Sequence, residues 1–174
     1  MNRLGVERAK DSQLVAVVEL GEGHCAHCYA DGIQMVTGCT FGKGNIRQLG
    51  YGKFGLVLVE KATGRAIRVV PRADAQMAMK QAPFFTQYRS KGIPASEVPE
   101  EVVAPLIEKV MSAPDEELFR ISEIYQYDLG PGHEDFNSFV CERCGDMVIE
   151  KYGRFHEGKK LCIPCQMAVL EGKE

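Results

Sequence analysis

Four cysteines close to the C-terminus, Cys141, Cys144, Cys162 and Cys165, stand in the pattern C-x2-C-x17-C-x2-C. Few sequence features restrict folding as strongly. Each C-x2-C pair offers two thiolates to one ion, and the residues between the pairs suffice for a hairpin that returns the second pair to the first. Four sulfur donors suit tetrahedral Zn2+ at bonds of about 2.3 Å. Such a site is closed to water, so its expected role is structural. A module of this size buries little apolar surface, and the metal is expected to supply most of its folding free energy.

Within the module, Gly145 relieves the turn after Cys144. Residues 147–152 and 154–156 are expected to pair as a hairpin, and 159–161 lead into the second cysteine pair. Cys162-Ile163-Pro164-Cys165 then opens a short helix over 166–170, with Pro164 near its first turn. Knuckle, hairpin and ligand-bearing helix together predict a treble-clef finger; a zinc ribbon would end in a strand instead. His156 falls in the hairpin and is expected at the surface, not on the metal. Lys151, Arg154, Lys159 and Lys160 alternate with Glu142, Asp146, Glu150, Glu157, Glu171 and Glu174. Interleaved charge of this kind favours a protein partner over nucleic acid.

The whole chain has 174 residues, 45% of them hydrophobic, enough for a core domain plus an appendage. A net charge of −3 provides no basic footprint for nucleic acid. No apolar h-region follows Met1-Asn2-Arg3, and no run approaches the ~20 residues of a membrane span. Seven cysteines, four of them in the metal pattern, fit a reducing, cytoplasmic setting.

The β-branched run 13–19 predicts a buried strand. A helix is expected over 28–37, with Ala30, Ile33 and Val36 or Thr37 at helical spacing and Gly38 as its stop. Strands 54–60 and 66–70 flank a turn at 61–65. Helices follow at 72–88, punctuated by Pro83, at 99–111, and from Pro114; a strand is expected at 122–127. The order predicts an α+β core over 1–127, a linker over 128–137 and the finger over 138–174.

His24-Cys25-Ala26-His27-Cys28 is the densest group of ligand-type side chains in the core. It admits three readings: a second metal site for a transition metal, a redox or nucleophilic cysteine pair, or ordinary buried residues. Cys28 is expected at a helix N-terminus, where the dipole favours a thiolate, with Asp31 and Gln34 projecting from the following turns. A straight helix from Cys28 to Cys39 would separate them by about 16 Å. Cys39 therefore joins the site only through a chain reversal or a second copy of the chain, and is otherwise a packed thiol. The run 38–45 imitates a phosphate loop but is one residue short, and Gly44 replaces the magnesium-binding hydroxyl. It is either an anion-binding turn using Lys43 or a tight chain path.

Residues 28–45, CYADGIQMVTGCTFGKGN, closely resemble the central motif of the FmdE-like family of formylmethanofuran dehydrogenase proteins, and Tyr51-Gly52-Lys53 and the terminal cysteines agree in order. The resemblance covers nearly the whole chain. It implies a dimerising α+β core followed by a treble-clef finger. It also implies an association with the molybdenum- or tungsten-dependent enzyme that reduces carbon dioxide onto methanofuran, a link to methanogenesis without a defined reaction. Members usually open with an H-G-H-x-C-P-G helix, which residues 1–20 do not contain. Either the chain starts downstream of that helix, or His24, Cys25 and His27 substitute for its ligands.

Three functions are thus in view. The first is a cytoplasmic, homodimeric metal-binding accessory protein with Cys28, Asp31, Cys39 and Lys43 lining a core cleft and a finger that extends the dimer or docks a protein. The second is a metal- or thiol-dependent enzyme for a small anionic or pterin-like substrate, with the same four residues as catalytic candidates. The third is a structural zinc-finger adaptor.

Overall fold

The computed structural model describes residues 1–22, 24–130 and 137–173, and of residues 24–26 the backbone alone. The chain forms two compact units, Met1–Leu129 and Gly130–Glu174.

In the first unit, Leu14-Val15-Ala16-Val17-Val18 forms β1 (Leu14–Val18), buried at every position. A strand buried on both faces has no need of alternating polarity, which is why this run is continuously apolar. It feeds α1 (His24–Thr37), which returns to β2 (Ile46–Gln48), parallel to β1. On its other side β1 pairs antiparallel with β3 (Leu56–Glu60), β3 with β4 (Arg65–Pro71), and β4 with β5 (Phe119–Ile121) and β6 (Tyr125–Gln126). The order is β2-β1-β3-β4-β5. One face packs Leu14, Ala16, Val18, Leu58 and Ile67 with Ala30 and Ile33 of α1. The other gathers Val15, Val17, Val57, Val59 and Ala66, with Tyr127 and Leu129 packed against them.

Several local expectations shift. α1 begins four residues earlier than predicted, and of the two alternatives at its end Thr37 is buried while Val36 is exposed. β2 was hidden by its three-residue length among glycines. The helix expected over 72–88 stops as α2 (Ala73–Lys80), and a wide turn, Phe84–Tyr88, follows Pro83. Proline has no N–H to continue the ladder and its ring crowds the preceding turn. The strand expected at 122–127 is split into β5 and β6, because the Ser122 hydroxyl accepts the Arg68 N–H and gives its proton to the Glu123 carbonyl. The helices α3 (Glu100–Ser112), with Pro105 inside it, and α4 (Asp115–Leu118) complete the unit.

The second unit has two hairpins where one was expected. β7 (Ser138–Val140) pairs with β8 (Met147–Ile149), and β9 (Arg154–His156) with β10 (Lys159–Leu161). The first hairpin closes around the Cys141–Gly145 turn, with Gly145 N–H donating to the Cys141 carbonyl. The second turns at Glu157 and Gly158, both at positive φ, the two-residue geometry that matches strand twist. Residues 150–152 make a helical turn between them, so 147–152 cannot pair with 154–156. Helix α5 (Ile163–Leu170) follows, with Cys162 as its N-cap residue and Pro164 in its first turn.

Candidate metal centre

The knuckle before β8 carries Cys141 and Cys144, while the N-terminus of α5 carries Cys162 and Cys165. Their four sulfurs lie within 4.8 Å of one another, a group that can hold a metal ion, and Cys144 Sγ is 3.9 Å from Cys162 Sγ. For four sulfurs at about 2.3 Å from a central ion, tetrahedral geometry requires S···S edges of about 3.8 Å. The Cys162 N–H donates to Cys141 Sγ at 3.3 Å. Arg143 bonds the carbonyls of Cys165 and Lys173, tying the knuckle to the C-terminal end of α5.

The thiols differ sharply. Backbone N–H groups of Cys144 and Cys162 favour the Cys141 thiolate and lower its pKa to about 6. At Cys144 the Asp146 backbone also favours the thiolate, but desolvation and the neighbouring thiol Cys141 outweigh it and push the pKa up to about 12. The Cys162 sulfur and desolvation raise Cys165 as well. A divalent cation is what allows four such sulfurs to ionise together.

The core candidates do not form a comparable group. His24 and Cys25 have side chains outside the described residues. His27, Cys28 and Asp31 are exposed on α1, with Asp31 accepting from Gln34 Nε2 at 3.5 Å. Because α1 starts at His24, Cys28 lies one turn inside the helix, beyond the free N–H groups that were expected to favour its thiolate. Among the described residues, only the four C-terminal cysteines form a cluster of three or more metal-ligand side chains.

Cys39 follows the other end of α1, fully buried, its Sγ 3.4 Å from the Leu14 carbonyl oxygen; burial pushes its thiol pKa up. Two and a half helical turns, about 14 Å, lie between Cys28 and the end of α1. Lys43 Nζ donates to the carbonyls of Gly38 and Lys10, at 2.8 and 3.0 Å, which places its charge at the C-terminal end of α1. The Thr40 N–H goes to Asn45 Oδ1 and the Lys43 N–H to Thr40 Oγ1. Gly38, at φ 72°, leaves no room for a Cβ beside the Ala9 carbonyl. The 38–45 run is therefore a tight chain path whose polar groups serve one another.

Sequence reasoning passed over Glu19, treating it as the end of an apolar run. It is buried, and both its oxygens accept from Arg68, at 2.7 and 2.6 Å, above Gly55, where a side chain would collide with the carboxylate. The Arg68 hydrogen bonds and charge hold Glu19 below the usual carboxylate range despite desolvation. A charge closing a buried strand, with a glycine just before a second one, was the available signal.

The sequence profile described as FmdE, Molybdenum formylmethanofuran dehydrogenase operon, matches residues 1–120. A protein of Archaeoglobus fulgidus named "Probable S-adenosyl-L-methionine-binding protein" is 29% identical over 180 residues, an alignment that takes in 95% of this chain and 45% of that protein. The chain thus spans less than half the length of that relative. Among solved structures, an FmdE-like protein of tungsten formylmethanofuran dehydrogenase from Syntrophus aciditrophicus has a similar fold, with a TM-score of 0.57 and 21% identity over 88% of this chain and 71% of that one. No helix among the described residues is long and apolar enough to cross a membrane.

Proposed function

Since the chain belongs to the FmdE family through residues 1–120, we propose that it is a metal-binding accessory protein with a structural zinc finger and a second metal site in its core. The observation that carries this reading is the set of four sulfurs within 4.8 Å. Sulfur donors alone, at tetrahedral spacing, select zinc over magnesium or calcium, which take oxygen. Two hairpins followed by a helix that bears the second ligand pair support a treble clef. The closed ligand set makes this zinc a folding element and leaves substrate chemistry to the core.

In the core, exposed Cys28 and Asp31 are the side chains offered to a second ion, with His24, Cys25 and His27 as the neighbouring ligand types in sequence. A homodimer is part of the proposal. Neither α2 nor α3 has a buried residue, and Met77, Ile107 and Met111 are exposed. Amphipathic helices of a stable protein bury an apolar stripe, and a second copy supplies the missing surface. A cytoplasmic location fits three exposed or half-buried cysteines kept reduced for metal.

A structural adaptor is the second reading. It is favoured by the use of Cys39 and Lys43 in packing and in bonds to main-chain carbonyls. Metal counting on the purified full chain separates the two. Two ions per chain, one of them lost in Cys28→Ala, support the core site. One ion, unchanged in Cys28→Ala, leaves the adaptor.

A further inference from the structure

The finger's four sulfurs are unequal in a way that a purely structural site does not require. Cys141 is 1% exposed and receives the Cys162 N–H, whereas Cys144 is solvent exposed; Cys162 and Cys165 are half-buried. The sulfur 3.9 Å from exposed Cys144 belongs to Cys162, across the metal site and not within its own C-x2-C pair. Beyond Cys141 and Leu161, this unit has no buried apolar residue among those described. Its fold therefore has little to fall back on when ligands are lost.

From this geometry we infer that the finger is a thiol–disulfide switch, in which a small-molecule disulfide links Cys144 to Cys162 and expels the metal. The inference rests on the zinc reading of the proposed function. The Cys144 thiolate attacks one sulfur of the disulfide, forming a mixed disulfide and releasing one small thiolate. The Cys162 thiolate then attacks Cys144 Sγ and displaces the second small thiolate. Two electrons pass from the two protein sulfurs to the two small thiolates, and the ion, left with Cys141 and Cys165, departs as Zn2+. Closing the bond brings the two sulfurs to about 2.05 Å. Exchange with excess small dithiol reverses each step and restores the four-sulfur site.

The test treats the metal-loaded full chain with glutathione disulfide, follows metal release with a chromophoric chelator and maps disulfides by mass spectrometry of peptides. The expected result is one ion released per Cys144–Cys162 bond formed, with metal binding regained after dithiothreitol and zinc. Cys144→His keeps a fourth ligand while removing the attacking sulfur, and is expected to release metal about tenfold more slowly. Metal retained under oxidation, bonds mapping to Cys141–Cys144 or Cys162–Cys165, or equal release from Cys144→His would each overturn the switch and leave the zinc reading standing. A chain that carries no metal before oxidation would overturn both.

Discussion

Eighteen apolar residues are buried in the unit Met1–Leu129, against two, Cys141 and Leu161, in Gly130–Glu174, counting described residues. The first unit spreads its stability over a sheet packed on both faces. The second, too small for such a core, gathers its ligands at one point. Loss of one side chain should therefore be graded in the core and all-or-none in the finger, and the following outcomes probe that contrast.

The largest effect is expected from Cys162→Ala. Zinc sites of this type contribute on the order of 10 kcal/mol to folding, so the finger should lose its metal and become protease-sensitive. Limited proteolysis should show cuts within 138–173 while the core fragment survives. In the core, Leu58→Ala should lower the unfolding free energy by about 2–5 kcal/mol without changing the metal content. Chemical denaturation with parallel metal analysis measures both quantities. A core variant that lost the finger's zinc would break the contrast.

Glu19→Gln should cost the core about 1–3 kcal/mol at neutral pH, since Arg68 keeps partial contact with water. The pH dependence has a definite sign. A carboxyl with a folded pKa below its unfolded 4.5 contributes stability that is present above pH 4.5 and is lost as pH falls through the lower folded value. Denaturation midpoints between pH 6 and pH 3 should fall more steeply for the native chain than for Glu19→Gln (roughly the range set by carboxylate pKa values). The smallest effect is expected from Lys43→Met, which releases two carbonyls and should cost about 1 kcal/mol. A full unfolding would show that this loop does more than tie down the end of α1.

What the sequence revealed depended on whether the signal was local. The run Leu14–Val18 announced a buried strand because apolar β-branched residues have few other uses. The four cysteines announced a metal cluster because their spacing encodes a return of the chain. Cys39 and Lys43 were harder. A thiol and an ammonium in a glycine-rich run look like chemistry until their partners, the carbonyls of Leu14, Gly38 and Lys10, are visible. Glu19 is the converse: it looks like a strand end, and its role depends on Arg68, forty-nine residues away. The finger's hairpins were mispaired because only the three-dimensional turn at Cys141–Gly145 brings 138–140 beside 147–149.

Hydrogen exchange on the full chain, before and after removal of metal by a chelator under reducing conditions, tests the contrast between the two units most directly. Amides of β7–β10 and α5 should lose their protection together, while those of β1, β3 and β4 keep theirs. Continued protection of the finger amides after metal removal, or loss of protection in β1, β3 and β4 as well, would contradict a metal-folded finger beside a self-sufficient core.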